Sequence, residues 1–304
     1  GLLLGFLGLI WAHPTIQIPA LTGMVHETKG ALWPVLFITI ACGAISGFHS
    51  VVAAGTSSKQ LAHEGHARLI GYGAMIMEAA LALMVILIAG SALTWDPGLQ
   101  DHELGYQFLM NTGNGGPGPI GTFATAFGVV VGRLPGLSAA AGFSFGILML
   151  NTFVLTTLDT STRLARFIVG ELAPKRGAWI GNRFVATGLT AAAATAVGLT
   201  GSYQKIWPVF GASNQLIAAL ALIVATAWFF SRGLPRLYTL LPGLFMLATT
   251  MAALGLQCYA SLFTQQDYLI AGLSFVLLVL AAFIFYEARG ILGPRRASSE
   301  VPGK

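Results

Sequence analysis

Gly43-Ala44-Ile45-Ser46-Gly47-Phe48-His49-Ser50 lies in the middle of an apolar run from about Leu32 to Ala54. A run of roughly 20 apolar residues is long enough to cross a bilayer as a helix. This one sets two glycines, two serines and a histidine where a lipid-facing helix carries Leu and Val. Glycine weakens the helix, and Ser and His bring polar groups to bilayer depth. Transporters often build a substrate site by interrupting a spanning helix at mid-membrane. The unwound backbone then needs partners, and a ligand or ion can supply them. The rest of the chain reads as scaffold around this break.

The composition sets the solvent. The chain has 304 residues, 55% hydrophobic and 9% charged, with a mean hydropathy of +0.76. A soluble domain carries about 25% charged residues, so too few are present to cover a water-facing surface. The fold class that follows is an all-α polytopic membrane protein. The net charge of +5 is distributed as membrane topology demands and implies no nucleic-acid partner. Cys42 and Cys258 both lie in apolar segments and read as buried thiols, with no metal spacing and no disulfide framework. The chain opens at Gly1 inside an apolar run, with neither Met nor the charged flank of a signal peptide. We therefore expect the second part of a longer polypeptide, whose N-terminal half is a partner of this one.

Segments long enough to span fall at roughly 32–54, 70–93, 138–158, 180–200, 212–230, 237–258 and 267–287, and 1–12 reads as the end of a further span. Ile120 to Val131 is apolar but only about a dozen residues long, which suits a re-entrant or interfacial helix. If the loop at 55–69 is cytoplasmic and 120–131 does not cross, Lys29, Arg133 and Lys205 fall outside and the other thirteen of the 16 Lys and Arg fall inside. The excess of cytoplasmic positive charge sets the orientation. It puts the short helix on the outer face and the C-terminus in the cytoplasm. The resulting order, with a broken helix opening the series, matches the second half of a LeuT/APC-like inverted-repeat transporter. Residues 1–290 form the transporter domain, and 291–304 form a basic cytoplasmic tail.

Several blocks extend this reading. Ser46-Gly-Phe-His-Ser50 is followed by Gly55-Thr-Ser-Ser-Lys-Gln60, then by Arg68-Leu-Ile-Gly-Tyr-Gly-Ala-Met75 with Glu78. Leu158-Asp-Thr-Ser-Thr-Arg-Leu-Ala-Arg166 and Trp207-Pro-Val-Phe-Gly-Ala-Ser-Asn-Gln-Leu216 come later, in the same order. Together they resemble the carbon starvation protein A family along nearly the whole chain. The resemblance implies a bacterial inner-membrane transporter that takes up small nutrients, peptides or pyruvate, when carbon is scarce, driven by protons. Ala62-His-Glu-Gly-His66 is outside that pattern.

The candidate residues each carry two readings. His49 binds a substrate carboxylate or passes a proton, since imidazole titrates near neutral pH; alternatively it bonds a neighbouring helix and fixes the unwound turn. Ser46, Gly47, Phe48 and Ser50 share that choice. Glu78, two turns into the span 70–93, costs about 2.5–3.5 kcal/mol to insert at helix centre. It either couples protons or makes a structural pair. Asn151, Thr152, Thr156, Thr157, Asp159 and Thr160 form a polar stripe late in the span 138–158. Its hydroxyls suit a hard cation such as sodium or pack between helices. Asp159 with Arg163 reads as an i,i+4 ion pair. Ser213, Asn214 and Gln215 open the span 212–230, where the amides contact substrate at the outer mouth or bond across to a neighbour. His63, Glu64 and His66 lack a further ligand and read as a solvated loop.

Nucleophile-elbow, P-loop and dinucleotide patterns do not occur. The expected chain is no enzyme and takes no cofactor or resident metal. Its partners are a small-molecule substrate, a coupling proton or sodium ion, and the lipid bilayer. Alternatives from other classes are a sodium-coupled transporter of another substrate, an intramembrane enzyme built on His49 and Glu78, and a non-transporting scaffold or sensor subunit.

Overall fold

The computed structural model describes residues 1–20, 23–26, 30–41, 43, 45–95, 104–110, 116–172, 182–201 and 203–292. The acidic loop around Asp101, the basic loop carrying Lys175 and Arg176, Cys42 and nearly all of the expected tail lie outside these residues. The architecture is helical, with one two-residue hairpin, β1 (Val25–His26) against β2 (Gly30–Ala31). Among the described residues, five helices are long and apolar enough to cross a membrane: His66–Ala92, Ala139–Glu171, Val209–Ser231, Leu237–Phe263 and Tyr268–Ala288. Many of their large apolar side chains are exposed, including Met77, Ile86, Leu148, Val224, Phe245 and Phe275. Such a surface needs an apolar solvent. The chain is a multi-pass membrane protein.

The contacts divide into two units. The first joins Gly1–Thr22 to Gln60–Ala192. It holds α1 (Leu2–Ala12), the continuous helix formed by α4 (His66–Arg68), a π-helical turn (Leu69–Gly73) and α5 (Ala74–Ala92), then α6 (Tyr106–Met110), α7 (Gly118–Val131) and α8 (Ala139–Leu172). At its centre is α7, only 14 residues long, with Phe123, Ala124, Ala126, Phe127, Val130 and Val131 all buried. Met84 and Ile88 of α5 and Leu109 of α6 complete that core. The helices α7 and α8 come within backbone contact. A Cβ on Gly128 would lie 2.7 Å from the Ala139 carbonyl oxygen, and one on Gly142 would lie 2.9 Å from Gly128 Cα. Only glycine allows that approach.

Helix α8 and the next described helix depart from their expected lengths. Hydropathy ends one span near Leu158, but α8 continues to Leu172. Its 34 residues reach ~51 Å at 1.5 Å per residue, well beyond the ~30 Å hydrocarbon core. At least one end of α8 therefore extends past it. The expected span 180–200 is α9 (Arg183–Leu199), 17 residues with Ala186 as its buried residue.

The second unit joins Gly23–Lys59 to Ala193–Lys304. The antiparallel helices α10 (Tyr203–Ser231) and α11 (Leu237–Phe263) pack together with α12 (Tyr268–Leu292). Leu216, Ala219 and Ile223 of α10 meet Met246 and Leu247 of α11 and Ala281 and Ala288 of α12. The hydroxyls of Thr226 and Thr239 hydrogen-bond at 2.8 Å across the α10–α11 turn. Cys258, half-buried, turns its thiol toward the Ala271 carbonyl at 3.6 Å.

The apolar run 32–54 is not one helix. A π-helical turn (Leu32–Leu36) leads into α2 (Phe37–Ala41), and the chain resumes as α3 (Gly47–Gly55). Phe37 meets Phe245 edge-on, with ring centroids 5.6 Å apart. Ile38 is buried with Ala212, Ala253 and Leu254. Trp33 Nε1–H donates to Thr249 Oγ1 at 3.3 Å. These contacts hold the first half of the broken run against α10 and α11.

Candidate functional site

The break falls between Ala41 and Gly47 and takes in the first part of the Gly43–Ser50 stretch, whose later residues begin α3. Ser46 is extended (φ −112, ψ 124), and its Oγ accepts the His49 backbone N–H at 3.4 Å, so it caps α3. Serine suits that place because its oxygen can serve a backbone donor that a helix start leaves without an intrahelical acceptor. Ser50 Oγ–H donates to the Gly47 carbonyl at 2.7 Å.

A second acceptor comes from α10. Asn214 Oδ1 accepts the Phe48 backbone N–H at 2.7 Å and the Ser46 hydroxyl at 3.3 Å. Gly47 makes this possible. A Cβ there would collide with the Asn214 carbonyl oxygen and would lie 2.6 Å from Ile217 Cβ and 2.8 Å from the Ala218 nitrogen. The sequence-derived residues Ser46, Gly47, Phe48 and Asn214 thus meet at one point, the start of α3 against the middle of α10. The His49 imidazole takes no part in it. Its side chain is exposed, its ring lies 6.1 Å from that of Phe48, and it has no hydrogen-bond partner among the described residues.

Ser213, Asn214 and Gln215 do not open a helix, because α10 begins at Tyr203, about three turns earlier at 3.6 residues per turn. Asn214 is 3% exposed and Gln215 is 0% exposed. Among the described residues neither amide atom of Gln215 finds a hydrogen-bond partner, and the same is true of the hydroxyls of Thr250 and Ser274. The sequence reading passed over Trp33, Thr249 and Thr250. The adjacent Thr249-Thr250 pair inside the apolar run of α11 was the available signal.

The remaining candidates are in the first unit. Glu78 is half-buried on α5, with neither a hydrogen bond nor an ion pair among the described residues. On α8, Asn151, Thr152, Thr156, Thr157 and Asp159 are exposed. Their hydroxyls turn onto their own helix: Thr152 donates to the Leu148 carbonyl at 2.8 Å, and Thr156 and Thr157 both donate to that of Phe153, at 2.8 and 3.1 Å. Such bonds satisfy a hydroxyl at membrane depth without a neighbouring helix. Asp159 and Arg163 form an ion pair at 2.8 Å. The rings of His63 and His66 stand 5.4 Å apart in an exposed segment. Among the described residues no group of three or more His, Cys, Asp or Glu could hold a metal ion.

Comparison with known proteins identifies the lineage. The chain matches the family described as carbon starvation protein CstA over residues 1–96 and 103–253, and it belongs to that family. It is 30% identical over 338 residues to the pyruvate/proton symporter BtsT of Escherichia coli (strain K12), covering 86% of this chain and 46% of that protein. It is 31% identical over 307 residues to the peptide transporter CstA of the same organism, covering 81% of this chain and 43% of that one. Against the peptide transporter CstA of Helicobacter pylori (strain J99 / ATCC 700824) the identity is 29% over 302 residues, with 80% and 42% covered. The chain therefore spans less than half the length of these relatives, which carry the names of transporters. No solved structure matches it.

Proposed function

We propose that this chain is the second repeat of a LeuT/APC-like secondary transporter, with the substrate site at the break around 43–50. The observation that carries this reading is the interrupted helix itself: α3 starts against Asn214, which lies in a helix long and apolar enough to cross a membrane, with the His49 imidazole exposed nearby. In a membrane an interruption of this kind is tolerated where it faces protein or a water-filled path. The short buried helix α7 supports the expected outer re-entrant segment. The first repeat belongs to an N-terminal half, which fits relatives about twice as long.

The substrates are small carboxylate-bearing nutrients, because pyruvate and a peptide C-terminus share that group and His49 suits it. Ser46, Gly47, Phe48, Ser50 and Asn214 shape the turn beside it, with Gln215 behind them. Coupling is to protons through Glu78, or to a cation along Asn151, Thr152, Thr156, Thr157 and Asp159. The setting is a bacterial inner membrane with the C-terminus in the cytoplasm, residues 1–290 forming the transport domain and 291–304 a tail.

Uptake of labelled pyruvate and labelled peptides into vesicles carrying the complete transporter tests this, with an imposed proton or sodium gradient. A gradient-driven uptake that His49→Ala reduces at least tenfold is expected. If neither gradient drives uptake, or His49→Ala transports like the parent, the site is elsewhere.

A further inference from the structure

Gln215 and Thr250 are each 0% exposed, and among the described residues the Gln215 amide and the Thr250 hydroxyl have no hydrogen-bond partner. Buried polar groups are rarely left in that condition, since each costs its full desolvation. The packing of α10 against α11 brings the two together. Ala212 and Ala219 lie one turn to either side of Gln215. Ala212 packs with Ala253 and Leu254, and Ala219 with Met246 and Leu247. Those residues lie one turn to either side of Thr250. Gly243 against Ala219 and Leu222, and Thr226 bonded to Thr239, set the same antiparallel register. Gln215 and Thr250 are therefore at one level of the seam and on its inner faces.

We propose that Gln215 and Thr250 share a bound water molecule inside the α10–α11 seam. The chemistry selects this occupant. A carboxamide presents a donor and an acceptor, so its partner must both accept and donate, and a hydroxyl opposite it can do either. One threonine hydroxyl cannot serve both corners of the amide, whereas a water with two to four polar partners can bridge them. A metal cation is disfavoured. It would face the Gln215 NH₂, and neither α10 nor α11 carries an acidic residue to offset its charge. A substrate-sized molecule would have to part the two helices. The seat lies directly behind Asn214, whose side chain holds the start of α3, so it ties the packing of α10 on α11 to the geometry of the break.

The test is a mutant cycle on the full chain in lipid nanodiscs, read as apparent melting temperature, together with a cryo-EM map fine enough to show ordered water. Gln215→Met and Thr250→Val keep length and shape while removing the polar atoms. Each is expected to lower the melting temperature by a few degrees, and the double variant to lose clearly less than the sum. A density peak within hydrogen-bond distance of both side chains is expected in the parent and absent from the double variant. A rise in melting temperature for Gln215→Met, additive losses, or a direct Gln215–Thr250 contact with no density between them would overturn the proposal. These readouts do not involve uptake, so they separate its failure from that of the transport site.

Discussion

The side-chain oxygen of Asn214, on α10, accepts the backbone N–H of Phe48 at the start of α3, 2.7 Å away and 166 positions earlier in the chain. The same oxygen takes the Ser46 hydroxyl at 3.3 Å. One amide oxygen thus serves two donors at the start of α3. Replacing Asn214 by Leu leaves the half-buried Phe48 N–H without that acceptor, a loss of about 1 kcal/mol or more. Ser46→Ala removes the cap, costing about 1 kcal/mol. Because the two side chains touch, the double variant is expected to depart from additivity by at least ~0.5 kcal/mol. Denaturant titration in detergent measures this, and additive losses would show that the Asn214–Ser46 contact carries no energy.

Gly47 is the other half of that joint. A Cβ would meet the Asn214 carbonyl oxygen and the Ala218 nitrogen, both backbone atoms that no side-chain rotation can move. Gly47→Ala is therefore expected to push α3 off α10 and to destabilise the chain by about 1–3 kcal/mol, as overpacking does. Gly65→Ala is the control, since its added methyl group would meet nothing within 4 Å. Melting curves of the two variants should differ by several degrees, and equal curves would mean that α3 does not sit on α10.

How much of this was legible in the sequence follows from what each signal measures. Gly43, Ser46, Gly47 and His49 announced the break because their chemistry conflicts with the apolar run around them. Its exact limits depended on Ser46 acting as a cap, which shifts the interruption to before Gly47. The start of α10 was hidden because Lys205 counts among the outside charges, which puts it in a loop, yet the helix already runs through it. Hydropathy likewise marks where lipid ends and not where a helix ends, so α8 outran its apolar stretch. The pairing of Asn214 with Phe48 was out of reach, since nothing local in either segment names the other. Of the two readings offered for Asn214, substrate contact at the outer mouth and a bond across to a neighbour, the Phe48 N–H at 2.7 Å is a bond of the second kind.

The ion pair between Asp159 and Arg163 is expected to matter little for stability. Their side chains are 62% and 50% exposed, and an i,i+4 pair of this kind contributes about 0.3–0.5 kcal/mol before salt screens it. Asp159→Asn should leave the melting temperature within about 2 °C of the parent, on a scale of roughly 2–4 °C per kcal/mol. A loss of several degrees would mean that Asp159 has a further partner in the folded protein.

The polar stripe of α8 gives the sharpest separation between a packing role and a coupling role. The Thr156 hydroxyl is already satisfied by the Phe153 carbonyl at 2.8 Å, and the residue is exposed. Thr156→Val removes an oxygen without opening a cavity, so stability should stay within about 0.5 kcal/mol of the parent. If a coupling cation uses that oxygen, the concentration of sodium needed for half-maximal uptake must rise, because one ligand of a hard cation is gone. The expected outcome is unchanged melting with weakened cation dependence, measured on the same vesicle preparation. Unchanged melting with unchanged cation dependence would assign the Thr156 hydroxyl to its own helix alone and move the coupling site to Glu78, which Glu78→Gln should then abolish.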